Sequence, residues 1–245
     1  MLIWVIGFSI MGSIGAVATA SMLLLFPEAV RSGLVPGLIS YATGTLLGAA
    51  FLGMMPAGLK LAPARLVSAT VLAGIVAFFV LEKFLLWRHG HEAQSNVHAP
   101  TGSLILIGDA FHNLIDGVVI AAAFLTSTSL GIAAALAVTA HEVPQEVGDF
   151  AILLDSGYYR TRAFVLNSIS SFSTLPGAVA AYYSLGYMHR IVPYVLAVSA
   201  ASFIYIGTTD LIPGLQREIR PAAALRQLVL LMAGIGTIAL FQPGQ

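Results

Sequence analysis

The chain is a succession of long apolar runs separated by short polar breaks. Runs long enough to cross a bilayer fall at about 2–26, 35–58, 66–87, 101–125, 129–154, 163–186, 191–213 and 226–242. The breaks are too short to hold a soluble domain; the longest reads RHGHEAQSNVHAPTG, at 88–102. This pattern predicts an all-α, polytopic membrane bundle of eight transmembrane helices, with residues 1–245 as a single transmembrane domain. The first run lacks a basic leader and exceeds the apolar core of a signal peptide, so it reads as the first span. Gly44 and Gly48 in the second run have the spacing that lets helix backbones approach closely.

Two runs break the apolar pattern. GDAFHNLIDGVVIAAAF at 108–124 carries Asp109, His112, Asn113 and Asp116. AVTAHEVPQEVGDFAILL at 137–154 carries His141, Glu142, Gln145, Glu146 and Asp149. An ionisable group at the centre of a membrane helix costs about 2.5–3.5 kcal/mol on insertion scales, so five carboxylates demand an offset. At about 100° per residue the first set falls within an arc of roughly 100° and the second within about 140°. Each helix therefore has a polar stripe and a lipid-compatible back. Two such stripes turned together make a pocket of carboxylates, imidazoles and amides. Pro144 lies inside the second stripe. It cannot donate to the carbonyl of Ala140, so it is expected to kink the helix and free that carbonyl.

Charge decides what the pocket is for. The chain has 11 basic and 11 acidic residues and no net charge, which removes any electrostatic basis for nucleic-acid binding. Only 9% of residues are charged, against about 25% in an ordinary soluble domain. The basic residues are Arg31, Lys60, Arg65, Lys83, Arg88, Arg160, Arg162, Arg190, Arg217, Arg220 and Arg226, and none lies near the middle of a run. The intramembrane carboxylates must then be balanced by a metal cation or by protons. There is no cysteine, which excludes thiolate sites and disulfides. His112 and Asp116 are one turn apart, as are His141 and Gln145, so each pair can chelate from one face. Imidazole with oxygen ligands and no thiolate favours Zn²⁺ or Fe²⁺ over Mn²⁺ and Cd²⁺. No organic cofactor is expected.

Basic residues also set orientation. Arg31, Lys83, Arg88, Arg160, Arg162, Arg217, Arg220 and Arg226 fall on one side, and Lys60, Arg65 and Arg190 on the other. Eight against three places both termini outside and the 88–102 loop in the cytoplasm.

The runs HNLIDG and HEVPQEVGD, with the preceding Gly108–Asp109, resemble the paired signatures of the ZIP (Zrt/Irt-like) divalent metal transporters, in the subgroup whose fifth span reads HExPHExGD. The resemblance implies uptake of divalent metal into the cytoplasm through a binuclear centre between spans four and five. One site would draw on His112, Asp116, His141 and Gln145. Its neighbour would draw on Asn113, Asp116 and Glu142, with Asp116 bridging. Glu146 is a further candidate ligand. Gln145 stands where the subgroup has a second His, and an amide oxygen is the harder, weaker ligand. Span two has Gly53 and Ala57 around its proline, and span seven has Gly214, where relatives carry ligating groups.

Asp109, Asp149, Asn167 and Asp210 are candidates for the transport pathway. Glu146 and Asp149 serve equally well as protonated packing groups, and Asn167 as a bond between helices. His89, His91 and His98 in the long loop are weak candidates for handing metal on. A metalloprotease is disfavoured, because HEVPQ lacks the last His of HExxH and has a proline between the ligands. A proton-linked exchanger or channel that uses the carboxylates without metal is the main alternative. The expected partners are divalent ions and the lipid bilayer, with a homodimer left open. The expected setting is a bacterial cytoplasmic membrane.

Overall fold

The computed structural model describes residues 1–92, 99–217 and 220–241, and every regular element among them is helical. We number the long helices α1 Leu2–Leu24, α2 Ala29–Leu61 and α3 Ala64–Glu92. They continue as α4 Ala99–Thr126, α5 Thr128–Asp155 and α6 Arg160–Tyr187. The last two are α7 His189–Gln216 and α8 Pro221–Leu240. Among the described residues, seven of these are long and apolar enough to cross a membrane; α5, at 28 residues, has the length without the apolarity. The shortfall against the eight expected spans has one cause: α5 carries His141, Glu142, Gln145, Glu146 and Asp149 within its length. Its burial inside the bundle takes the place of lipid solubility.

α4 and α5 form the centre. α5 is flanked by α1 and α2, α6 packs along α4, α3 pairs with α7, and α8 lies on α2. Burial is uneven: 61% of the apolar window of α2, 56% of that of α7 and 50% of that of α4 are inside the bundle, but only 17% of α3 and of α8. α1, at 33%, and α6, at 39%, lie between.

Two close helix crossings fix the frame. At Gly44 a Cβ would collide with the carbonyl of Leu231, and at Gly234 with the carbonyl of Tyr41. So α2 and α8 touch backbone to backbone through reciprocal glycines, with Gly48 resting on Ile238. The second crossing joins α4 to α6 in the same way. Gly117 faces the carbonyl of Thr174, and Gly177 faces that of Leu114. The glycine of HNLIDG is thus a packing residue: it brings α6 close enough for Thr174 to reach the polar stripe of α4.

Three helices contain π-helical turns that the sequence reading did not anticipate: Met11–Gly15 in α1, Ala49–Met54 in α2 and Ile206–Leu211 in α7. Two have a visible cause. Pro56 and Pro213 follow closely, and a proline ring clashes with the carbonyl four residues earlier, here Leu52 and Thr209. A wider turn relieves that clash. Pro144 is accommodated differently, since α5 runs as α-helix through it.

Candidate metal centre

One face of α4 and one of α5 meet at His112, Asp116, His141 and Glu142. Spacing of four places His112 above Asp116 on α4, and the adjacent pair His141–Glu142 points to them from α5. His141 Nε2 lies 3.1 Å from His112 Nε2, 3.3 Å from Asp116 Oδ2 and 3.5 Å from Glu142 Oε1. His112 Nε2 lies 3.4 Å from Glu142 Oε1 and 3.8 Å from Asp116 Oδ2. Four ligands held about 2.0–2.1 Å from a tetrahedral zinc ion stand roughly 3.3–3.4 Å apart. The cluster already has edges of that length. Asp116, His141 and Glu142 are buried, and His112 is the one member with appreciable exposure, on the cavity side.

The donors around the cluster prepare it for a cation. His141 Nδ1 is 3.0 Å from the carbonyl of Ala137. A carbonyl only accepts, so Nδ1 carries the proton and Nε2 keeps its lone pair for the cluster. The two rings meet edge to face at 85°, and Phe203 packs against the His141 ring at 6.0 Å. Both carboxylate oxygens of Asp116 and both of Glu142 are buried without a hydrogen-bond partner. Such groups are expensive to leave unsatisfied, and no Lys or Arg among the described residues pairs with them. The arrangement offers lone pairs from four sides and no fixed positive charge.

A second acidic cluster adjoins the first. Asp109, Glu142 and Glu146 can each place a carboxylate oxygen within 4.8 Å of the others'. Glu142 belongs to both groups. Asp109 Oδ1 accepts from Asn113 at 2.9 Å and from Gln145 at 3.1 Å, while its Oδ2 is buried and unsatisfied. Asn167 on α6 donates to Glu146 Oε2, which leaves Glu146 Oε1 unsatisfied. Thr174 donates to Asn113 Oδ1 at 2.9 Å, fixing the amide so that its NH₂ faces Asp109.

This grouping differs from the one the resemblance implies. Gln145 donates from its amide nitrogen to Asp109 at 3.1 Å, and Glu142 is the carboxylate that joins His112, Asp116 and His141. Asn113 is occupied by Asp109 and Thr174. Among the His, Asp and Glu side chains, the residue common to both clusters is Glu142. The hydrogen-bonding residue not anticipated is Thr174, which nothing distinguishes within the Ser-rich run before it. Gly53 and Ala57 are buried on α2 and offer no ligating atom.

A cavity of about 550 Å³ reaches the surface from this centre. Asp109, His112, His141 and Gln145 line its inner end, and Asp149 and Asp210 line it further out. Asp210 is exposed on the π turn of α7 and accepts from Thr209 at 3.0 Å. Gly214, one turn further on, lines nothing here. Among the described residues, the other half of the pair is closed: Val119 to Phe124 of α4 are buried against Leu130, Ala134, Ala137 and Val138 of α5. Of the loop histidines, His98 lies outside the described residues, as do the side chains of His89 and His91.

These features define a helical integral membrane protein with a buried cluster of nitrogen and oxygen donors that is compatible with a metal site and adjoins an open cavity. Residues 88–242 match the family model described as ZIP zinc transporter. Zinc transporter ZIP13 of Pongo abelii is 35% identical over 219 residues, 83% of this chain and 66% of that protein. Zinc transporter ZIP13 of Homo sapiens is 30% identical, over 83% of this chain and 70% of its own length. Zinc transporter YKE4 of Saccharomyces cerevisiae is 29% identical, with 83% and 69% covered. The chain thus spans about two thirds of the length of these relatives, and it belongs to the ZIP zinc transporter family.

Proposed function

We propose that the chain carries divalent metal, zinc first, across the membrane through the cluster of His112, Asp116, His141 and Glu142. The observation that carries this reading is the cluster's geometry: two imidazole nitrogens and two unsatisfied carboxylates spaced as zinc ligands are spaced. The relatives' names as zinc transporters support the choice of ion. Fe²⁺, Mn²⁺ and Cd²⁺ are the next candidates, because the donor set contains no thiolate to exclude them.

Metal leaving the first cluster meets Asp109 and Glu146 through the shared Glu142, and then Asp149 and Asp210 along the cavity. Taken as a whole, the path runs from mixed nitrogen and oxygen donors to oxygen donors alone, and from buried groups to the exposed Asp210. That gradient suits release, since a closed four-ligand site would hold its metal. The basic bias of the connections supports a cavity mouth in the cytoplasm and both termini outside; the inward direction of transport is what the family resemblance implies. The eight helices act as one transmembrane unit. The relatives named above are eukaryotic and lend no support to a bacterial membrane.

The test is flux into proteoliposomes of the purified chain, with Zn²⁺, Fe²⁺, Mn²⁺ and Cd²⁺ supplied separately and internal pH recorded. Saturable zinc flux that vanishes in His141→Ala supports the reading. Proton flux alone, unaffected by metal, would establish a carboxylate relay without a metal site instead.

A further inference from the structure

On the face away from the cavity mouth, the α2–α3 and α6–α7 connections meet at a pocket of about 450 Å³. Its walls are Leu61, Ala62, Pro63, His189, Arg190 and Tyr194. Lys60 and Arg65 flank the first wall in sequence, so every Lys and Arg assigned to this face of the protein lies in, or next to, one of the two segments that form the pocket. No acidic residue occurs in 55–66 or 186–194. Among the described residues, none of Lys60, Arg65, His189 and Arg190 forms an ion pair. The pocket therefore offers uncompensated positive charge at the depth of a lipid headgroup.

Tyr194 also lines a second space. This is an apolar groove of about 370 Å³ that runs into the membrane between α4 and the α3–α7 pair. Phe78, Ile115, Val118, Val195 and Val198 form its walls. Ser199 turns its hydroxyl back to the carbonyl of Val195 at 2.9 Å, and the other polar lining residue, Tyr194, is shared with the basic pocket. Val198 is 40% exposed and Ile191 38%, which leaves the groove open along its length. Behind it, α3 and α7 are closely packed through Val67, Val71, Ala197 and Ala201. The groove marks the seam between that pair and the metal-binding helix.

A basic pocket continuous with an apolar groove has the shape and polarity of one molecule: a phosphodiester head on an acyl chain. We propose that this seam binds an anionic glycerophospholipid. Its phosphate sits among Arg190, His189 and the flanking Lys60 and Arg65, and one chain lies along Ile115, Val118 and Val198. Charge complementarity selects an anionic head, since a zwitterionic one brings its own cation. Because Ile115 precedes Asp116, the bound chain packs on the back of the helix that carries the metal ligands.

The experiment uses the full chain in nanodiscs, with phosphatidylglycerol titrated into phosphatidylcholine. Thermal melting and native mass spectrometry are the readouts. The melting temperature should rise and saturate at one tightly held phosphatidylglycerol per chain. Arg190→Gln and Lys60→Gln should each weaken retention about fivefold, as expected for one basic residue near an anionic head. Val198→Trp, at a half-exposed position, should block the groove and lower the number of lipids retained while the head pocket stays intact. Inorganic phosphate in phosphatidylcholine discs should give no comparable shift. A rise that never saturates, an equal effect of inorganic phosphate, or full retention in both Arg190→Gln and Val198→Trp would overturn the proposal.

Discussion

α4 and α5 each divide into two halves with opposite chemistry. In one half, Asp109 to Asp116 face His141 to Asp149, and the space between them opens into a cavity of about 550 Å³. In the other, Val119 to Phe124 face Leu130 to Val138, and the side chains are buried with no opening between them. The same two backbones thus form an open, acidic site and a closed apolar seal. In the polar half, unsatisfied carboxylates cost stability and are retained for what they bind. In the apolar half, small residues, chiefly alanines, let the helices close. The cavity reaches His112 and His141, beside the buried Asp116, and among the described residues it does not extend past the seal. Crossing the membrane requires the two halves to exchange accessibility, so the seal has to be separable without unfolding.

The largest contrast should appear in accessibility. The chain has no cysteine, so single cysteines report without background. Gly148→Cys, in the cavity wall, should react with a soluble maleimide, and Ala134→Cys, fully buried, should not. Equal labelling of the two in purified protein would mean that the seal does not exist. Next in size is the packing of the seal itself. Phe124→Ala should lower stability by about 3–5 kcal/mol, as removal of a buried aromatic does. Zinc should still raise the melting temperature of that variant by its usual amount. A lost zinc response would show that the two halves are not separable.

Asp116→Asn should do the reverse. Without metal its stability should hold or rise, because a buried charge is removed. The stabilisation conferred by zinc should shrink by about 1–3 kcal/mol. Lower apo stability with an undiminished zinc shift would make Asp116 a packing residue. The smallest effect should come from Asn167→Ala. It removes the donor to Glu146 from outside the first cluster, and should slow zinc flux by about tenfold, the scale seen when a group orienting a ligand is lost. A flux unchanged within twofold would remove Asn167 from the pathway.

How much of this contrast is legible in sequence varies by level. The helices are legible because bilayer length and apolarity are crude, additive properties. Their ends differ from the expected ones by a few residues. α2 begins near Ala29, not residue 35, because Pro36 is tolerated within its first turns. The polar stripes are legible because His112, Asp116 and Glu142 are rare in apolar runs. Their partners are not. Whether Gln145 faces the His pair or Asp109 depends on the rotation of α5 about its axis, and periodicity fixes that only within tens of degrees. The Thr174–Asn113 bond depends on a crossing made by Gly117 and Gly177, sixty residues apart in the chain. The glycines are visible in the sequence, but which glycine meets which is a tertiary property. The cavity is likewise a property of the assembled helices.

The central claim is that Glu142, and not Gln145, completes the zinc cluster with His112, Asp116 and His141. The most direct test measures zinc affinity of purified Glu142→Gln and Gln145→Ala by competition with a chromophoric chelator. The account predicts that Glu142→Gln weakens zinc binding at least tenfold, while Gln145→Ala stays within about threefold of the unaltered protein, as befits loss of a charged ligand against loss of a neutral hydrogen bond. Tight binding in Glu142→Gln together with loss in Gln145→Ala would contradict it, and would return the ligand set to the one implied by family resemblance.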